Sequence, residues 1–175
     1  MPQWRSGKDY KDTVSAKLSL GGGVLFELSH EIDYIQWLLG DMSLEYAHLR
    51  SSLDLGLDVE DSADLVLTNS VGTVCSMHLD FLQKTAQRKC SFIGSNGRLE
   101  WDLVSNSVEL ISENKTQMLY QDSEWDKNQM YIDMINDFVS AINGKPNRCV
   151  TVSESAKVVG LVELIKEKGT RGISL

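Results

Sequence analysis

The order of periodic segments along this 175-residue chain limits its fold: one helical segment, six short alternating segments, then two more helical segments. The first helix is predicted over residues 24–39, because its apolar residues recur every three or four positions, at Leu25, Leu28, Ile32, Ile35 and Leu39. Gly40 follows this stripe and predicts the end of the helix.

Six runs of alternating apolar and polar residues follow and predict six strands: residues 43–51, 62–68, 73–81, 88–93, 99–103 and 108–111. The joints between them are short and contain turn residues. One joint contains Asn96-Gly97, a dipeptide that favours the positive φ of a hairpin turn. Consecutive strands with short joints are expected to pair mostly antiparallel.

Two helical segments close the sequence. The first carries a stripe that ends before Gly144 and Pro146, formed by Met130, Met134, Ile135, Phe138 and Ile142. The second covers residues 151–168, with Ser153 as the predicted cap. The pattern predicts an α+β fold: a mainly antiparallel six-stranded sheet with helices packed on one face. The other face, with Val66, Val74 and Ile93 among polar residues, is left open and predicts self-association into a homo-oligomer.

Length and composition predict a single domain over residues 1–175, with an irregular arm at about residues 1–20. A formal charge of −8 argues against nucleic-acid binding, which needs clustered cations. No stretch approaches the roughly 18 apolar residues of a membrane span. The cysteines, at 75, 90 and 149, suggest neither disulfides nor a thiolate zinc site, so a cytoplasmic location is predicted.

The triple glycine at residues 21–23 raises the possibility of a phosphate-binding loop. Phe26 stands where a dinucleotide fingerprint needs its third glycine, and no Gly-Lys-Ser/Thr of a Walker loop follows. The glycines are therefore interpreted as a tight entry to the helix. The acidic residues at 58–64 lack the order of a calcium loop, so no metal site is predicted.

The first helix has a second face, opposite its core stripe, formed by Phe26, His30, Asp33 and Trp37. His30 could act there as an acid or base, with Asp33 three residues on to orient its imidazole. A purely structural pairing of His30 with Asp33 fits the same spacing, and periodicity does not decide between the two. His78 alternates with Ser76 and Asp80 and is interpreted as the polar side of a strand.

The run GGGVLFELSHEIDYIQWLLGD at residues 21–41 resembles the motif G-G-x-x-x-D-x-x-x-H-x-x-D-x-x-x-x-L-x-G, which opens the second domain of the Gfo/Idh/MocA oxidoreductases. PQWRSGKDY near the start is similar to that family's P-x-W-R-x-G-x-D-Y segment, and HLDFLQKTAQRKCSFIGSNGRLEWD to its strand pair around I-G-x-x-G. The string L-S-H-E-I-D is most similar to the surface-polysaccharide sugar-dehydrogenase branch. The resemblance spans nearly the whole chain and implies a fold like the C-terminal domain of glyceraldehyde-3-phosphate dehydrogenase.

The resemblance implies an NAD(P)-dependent oxidation or reduction of a sugar, a nucleotide sugar or a related polyol. His30 would be the catalytic proton-transfer residue, and Trp4, Arg5, Tyr10 and Asp33 would contact the substrate. Aligned without gaps, the family's catalytic Asp falls on Phe26. Glu27 is one place away, but on an ideal helix it points about 100° from that direction.

The family's members begin with a nucleotide-binding Rossmann domain, which these 175 residues do not contain. The chain is therefore expected to bind neither NAD nor NADP alone and to need that missing Rossmann domain as its partner. Two hypotheses remain open. The chain is a C-terminal substrate-binding and oligomerisation domain, inactive alone, or it is a free-standing, non-enzymatic module that binds a ligand or protein. A Rossmann domain encoded immediately upstream would favour the first.

Overall fold

The computed structural model describes residues 9–52, 54–113 and 115–173. These residues form two compact units. The first unit comprises the described chain up to Lys84 together with the described chain from Val150 onward, and the second unit comprises Thr85–Cys149. The prediction of one domain over residues 1–175 stays a prediction.

Four α-helices are found in the described residues: α1 Val24–Glu27, α2 Ser29–Leu39, α3 Lys127–Ile142 and α4 Val152–Lys168. The strands of the first unit are β1 Met42–Ser51, β2 Ser62–Asn69, β3 Val74–Asp80 and β8 Thr170–Ile173. Those of the second unit are β4 Lys89–Gly94, β5 Gly97–Asp102, β6 Ser107–Ser112 and β7 Lys115–Gln121.

The first unit contains a four-stranded sheet in the order β3-β2-β1-β8. β1, β2 and β3 pair antiparallel, whereas β8 pairs parallel to β1. The alternation of the strands sends one set of side chains toward α1, α2 and α4, and this set forms the core with the helices. Its buried members on the sheet are Met42, Ala47, Leu49, Ala63, Leu65, Leu67 and Leu79, and those on α4 are Val158, Leu161, Val162 and Ile165.

The predicted helix over residues 24–39 is interrupted at Leu28, which has φ −107° and ψ 22° and separates α1 from α2. The N–H of Glu31 bonds to the Leu28 carbonyl, a contact one residue tighter than in an α-helix. Gly40 ends α2, as predicted. The interruption matters for the site, because side chains before and after Leu28 do not share one helical wheel.

The second unit is an antiparallel meander in the order β4-β5-β6-β7, followed by α3. The Asp126 side chain caps α3 by accepting the Asn128 N–H. No described residue of this unit is buried, and the predicted apolar stripe of α3 is exposed. The prediction that this helix covers a sheet stays a prediction.

The α+β class and the positions of the six predicted strands are confirmed, but the single six-stranded sheet is wrong. The strands are divided between two sheets of four, because β7 and β8 complete them. Neither was predicted: β7 is exposed along its length, and β8 pairs with a strand more than a hundred residues earlier. Val66 and Val74 lie on the open face of the first sheet, as predicted, whereas Ile93 belongs to the second sheet.

The described part of the arm is more regular than predicted. It forms three short 3₁₀ turns, Tyr10–Asp12, Val14–Ala16 and Leu18–Leu20. Ser15 and Ala16 are buried. Within the described ranges, no helix is both long and apolar enough to cross a bilayer.

Candidate functional site

The triple glycine joins the arm to α1, and its amide groups are engaged by the arm. They donate to backbone carbonyls, Gly21 to Leu18 at 3.1 Å, Gly22 to Lys17 at 2.9 Å and Gly23 to Ser15 at 3.0 Å. A phosphate-binding loop needs such N–H groups free to point at the ligand. The interpretation of the glycines as a tight helix entry fits this geometry.

The cofactor implied by the family resemblance is NAD or NADP, whose pyrophosphate needs a glycine-rich turn between a parallel strand and a helix. The glycine loop at residues 21–23 does not fit that group, because its N–H groups are already bonded. In the described residues, the only parallel strand pair is β1 with β8, and neither strand leads into this loop. No step through a nicotinamide follows from these residues.

His30 lies in the first turn of α2 with its side chain 53 % exposed. Its Nε2 is 3.1 Å from Oε1 of Glu31, a residue that is itself 8 % exposed. A buried carboxylate can fix the direction of an imidazole and stabilise its protonated form. His30 therefore combines an anchored nitrogen with a ring that reaches the surface.

Asp33, the predicted partner of His30, is half-buried one turn further along α2. The carboxylate that pairs with His30 is Glu31 instead. Sequence reasoning missed Glu31, because adjacent residues do not face each other on an ideal helix. The only sequence feature that could have indicated Glu31 is its position as a charged residue next to Ile32 of the apolar stripe.

Phe26 occupies the position of the family's catalytic Asp, and Glu27 is the nearest carboxylate in the sequence. The two side chains have different surroundings. The Glu27 carboxylate accepts a hydrogen bond from the hydroxyl of buried Ser15. Phe26 packs against the core, and the Lys166 ammonium lies 4.6 Å from its ring centroid. Because α1 ends at Glu27, the angle of about 100° expected on a continuous helix does not describe the direction of Glu27 relative to His30.

Glu60 and Lys166 contact each other and the residues of α1. The two side chains are nearly buried, with Lys166 Nζ 3.7 Å from Glu60 Oε1. Glu60 also accepts the N–H of Leu25, at 3.4 Å from Oε1, and that of Val24 through its backbone carbonyl. The loop before β2 and the last turn of α4 thus hold the first turn of α1 in place.

The predicted substrate-binding arm is described only in part, because Trp4 and Arg5 lie outside the described residues. Tyr10 is half-buried against the core, and its hydroxyl donates to the Leu55 carbonyl at 2.9 Å. The substrate roles of Trp4, Arg5, Tyr10 and Asp33 stay predictions.

The second face of the helix is uncovered at its far end. Trp37 is 79 % exposed, an unusual state for so large an apolar side chain.

The other two histidines lie elsewhere, on the face of the first sheet that points away from the helices. In the part of the chain that the structure describes, no group of three or more His, Cys, Asp or Glu side chains could hold a metal ion.

A family profile described as "Oxidoreductase family, C-terminal alpha/beta domain" matches residues 13–172. This match covers both described units apart from a few residues at the ends. Among curated proteins, no match to the chain was found.

Solved structures show the same fold. A 3-ketoreductase from Actinomadura kijaniata, crystallised with NADP and TDP-benzene, has a TM-score of 0.77 at 18 % identity, covering 95 % of this chain and 52 % of that protein. A protein from Erwinia carotovora atroseptica described as an oxidoreductase has a TM-score of 0.72 at 17 % identity, with 95 % and 53 % covered. The chain thus spans about half the length of the solved structures that it matches.

Proposed function

Because the chain belongs to the Gfo/Idh/MocA oxidoreductase family, as its C-terminal alpha/beta domain, we propose that it binds substrate and drives oligomerisation for an NAD(P)-dependent sugar or nucleotide-sugar oxidoreductase. The observation that carries this proposal is His30, whose ring is anchored by a buried carboxylate and still reaches the surface. The chain by itself is expected to be inactive, since its glycine loop does not fit the cofactor.

The role of His30 is to move a proton to or from the reacting hydroxyl group. With Nε2 held by Glu31, the remaining ring nitrogen, Nδ1, is the atom that meets the substrate. The Glu31 carboxylate stabilises the imidazolium that forms when the hydroxyl loses its proton. Glu31 is thus a positioning residue.

Glu27 takes the part of the carboxylate that the family places four residues before its histidine. Ser15 fixes its direction by a hydrogen bond, and the break at Leu28 separates it from the regular helix. Phe26, at the gap-free position, is a packing residue beneath Lys166. Glu27 therefore supplies the second polar group for a sugar hydroxyl.

The substrate class follows from the family and from a neighbour of the same fold. The Actinomadura ketoreductase was crystallised with TDP-benzene, a nucleoside diphosphate derivative, and with NADP. A sugar presents several hydroxyl groups to a site, and His30, Glu27 and Asp33 offer acceptors for them. Polysaccharide biosynthesis is the pathway class that this substrate suggests.

Oligomerisation is assigned to the open face of the first sheet. Tyr46 and Val74, both on this face, are 52 % and 62 % exposed. A soluble domain rarely leaves one sheet face with such side chains in water unless another surface covers it. In the described residues Cys75, Cys90 and Cys149 form no disulfide, which fits the reducing cytoplasm that we propose as the location.

The proposal is tested by following the three histidine side chains by NMR while glucose, TDP-glucose or myo-inositol is added to the chain. These probes represent the sugar, the nucleotide sugar and the polyol. At least one should shift the His30 imidazole signals while those of His48 and His78 stay unchanged. The histidines on the sheet face serve as internal controls. No shift at His30 with any of the three would contradict the proposal.

A stability measurement separates the functional role of His30 from a structural one. The His30→Ala variant should lose less than about 1 kcal/mol of unfolding free energy, as at other surface positions. A structural pairing predicts a loss of roughly 1 to 3 kcal/mol, because the bond between His30 and Glu31 would then be a main contribution to stability. Denaturant unfolding of the two proteins decides between these outcomes.

A further inference from the structure

The open face of the first sheet carries a charged cluster that takes no part in the proposed site. It lies across three neighbouring strands and consists of Arg50 on β1, Asp64 on β2, and His78 and Asp80 on β3. In register, Asp64 lies opposite His78, while Arg50 and Asp80 flank Ser62 in the next row. The four side chains form one connected group on the face away from the helices.

His78 is held between two carboxylates. Its Nδ1 is 2.6 Å from Asp64 Oδ1, and its Nε2 is 3.2 Å from Asp80 Oδ2. A neutral imidazole has one N–H donor, whereas an imidazolium has two. Since carboxylate oxygens accept hydrogen bonds, both contacts can be made only when His78 is protonated.

The charge of the cluster therefore depends on His78. Arg50 Nη2 donates to Asp64 Oδ2 at 3.1 Å, so one cation already faces the two carboxylates. With His78 protonated the four groups are neutral in total, and with His78 neutral they carry one net negative charge.

The remaining groups near the cluster leave His78 as the main source of this change. His48 lies beside Asp64 in register, but its Nδ1 is 3.0 Å from the Thr170 hydroxyl on β8. Arg171 of β8 donates to the Lys166 carbonyl on the helix side. Ser62, between Arg50 and Asp80, is uncharged.

We infer that this cluster makes self-association through the open sheet face dependent on pH, with dimers forming more tightly as the pH falls from 8 to 6. The inference rests on the oligomerisation role proposed above. In a two-fold symmetric contact whose axis passes near Asp64, each cluster lies beside its own copy. Two net negative clusters repel and are costly to bury, whereas two neutral clusters avoid both costs.

A second copy of the chain is the occupant that this face suits. Its apolar side chains, Tyr46, Val66 and Val74, lie in the rows next to the charged cluster, so the face is self-complementary once the cluster is neutral. Four strands about 4.8 Å apart and about seven residues long cover roughly 450 Å² in projection. A standard interface buries about 800 Å² a side. Association should thus be weak and sensitive to one charge.

Sedimentation equilibrium at pH 6, 7 and 8 and constant ionic strength measures the effect. The dimer dissociation constant should fall at least about tenfold from pH 8 to pH 6, which in free energy equals a shift of one pKa unit. His78→Gln should bind as weakly at pH 6 as the unchanged chain does at pH 8. His48→Gln is the matched control, because His48 on β1 and His78 on β3 lie on opposite sides of Asp64. This variant should keep most of the pH dependence of the dissociation constant.

A charge-neutralising variant provides the sharper test, because it reverses the sign. Asp64→Asn makes the cluster neutral when His78 is neutral and positive when His78 is protonated. Its dimers should therefore weaken as the pH falls. This reversal cannot arise from a general effect of pH on the protein's net charge.

The outcomes separate this inference from the proposed function. A chain that stays monomeric at high micromolar concentration at every pH contradicts both the oligomerisation role and the pH dependence. Dimers of constant affinity contradict only the pH dependence. A response that disappears in His48→Gln and persists in His78→Gln would overturn the assignment to this cluster.

Discussion

Gly23 occupies a backbone position that a residue with a side chain would not fit. Its φ of +117° is one that residues with a Cβ rarely adopt. A Cβ at this position would overlap Oε1 of Glu60, the carboxylate that faces Lys166 and the N–H of Leu25. The glycine therefore lets Glu60 reach the start of α1, which carries Glu27 toward the site.

Replacing Gly23 by Ala should destabilise the chain by roughly 1 to 3 kcal/mol, since the backbone is strained and Glu60 must move. Chemical denaturation measures the loss. Gly160→Ala is the matched control, because Gly160 lies inside α4 with open space around it. That change should stabilise the chain by up to about 1 kcal/mol. Equal effects at the two positions would show that Glu60 does not depend on Gly23.

Helix α4 begins with reciprocal hydrogen bonds between Thr151 and Glu154, whereas the sequence predicted a cap at Ser153. Thr151, rather than the predicted Ser153, caps the helix by accepting the Glu154 N–H at 3.2 Å. The Glu154 carboxylate accepts from the Thr151 hydroxyl and backbone N–H, both at 2.7 Å. These two bonds, the hydroxyl's first, lower the pKa of the Glu154 carboxyl in the folded chain.

This pKa shift predicts how the cap responds to acid. A folded-state pKa below the unfolded value of 4.5 means that the cap stabilises the chain above that pH. The contribution is lost as the pH falls through the lowered pKa. The difference in unfolding free energy between the unchanged chain and Glu154→Gln should therefore shrink between pH 6 and pH 3.

The partner of the cap provides its control. Thr151→Ala should cost about 1 kcal/mol at pH 6, as for other N-caps. In the Thr151→Ala background the hydroxyl donor is lost but the backbone N–H at position 151 remains, so the further change Glu154→Gln should show a smaller pH-dependent effect. An undiminished pH dependence in this background would place its origin outside the bond to the Thr151 hydroxyl.

At the scale of the whole molecule, the buried side chains all belong to one of the two units. In the described residues, the core lies in β1, β2, β3, α1, α2, α4 and the loops between them, and no residue of Thr85–Cys149 is buried. Protection against hydrogen exchange follows burial and packing. The two units are therefore expected to differ in local stability.

Hydrogen exchange followed by mass spectrometry should show this difference. Peptides from β1, β2 and β3 should stay protected longest, and those from β4 to β7 and α3 should exchange earlier. Measurements at several protein concentrations provide the control, since association would slow exchange only on the surface that becomes covered. Equal protection of both units at low concentration would mean that the second unit has a core of its own.

Cofactor binding by the isolated chain would need backbone amides that its glycine loop has already engaged. The isolated chain should bind neither NADH nor NADPH, because the amides of its glycine loop are bonded to the arm. Isothermal titration calorimetry measures this directly. A dissociation constant near 10 μM or tighter, equivalent to roughly −7 kcal/mol, would contradict the prediction.

Local patterns were enough to predict the α+β class, the six strands from β1 to β6 and the end of α2 at Gly40. They were enough because the amphipathic period and the turn residues depend only on residues that are close together in the sequence. The family resemblance pointed to His30, and the profile match confirms the family. The position of His30 on the outer face of the helix also followed from spacing.

Other features depend on contacts between distant parts of the chain. The pairing of β8 with β1, the division into two sheets and the bond from Ser15 to Glu27 each join residues far apart in sequence. The break at Leu28 alters a helix that periodicity predicts to be continuous, and the carboxylate that pairs with His30 is Glu31 rather than Asp33. Periodicity records which face of an element is apolar, whereas the partner of each face is selected by packing and hydrogen bonding in three dimensions.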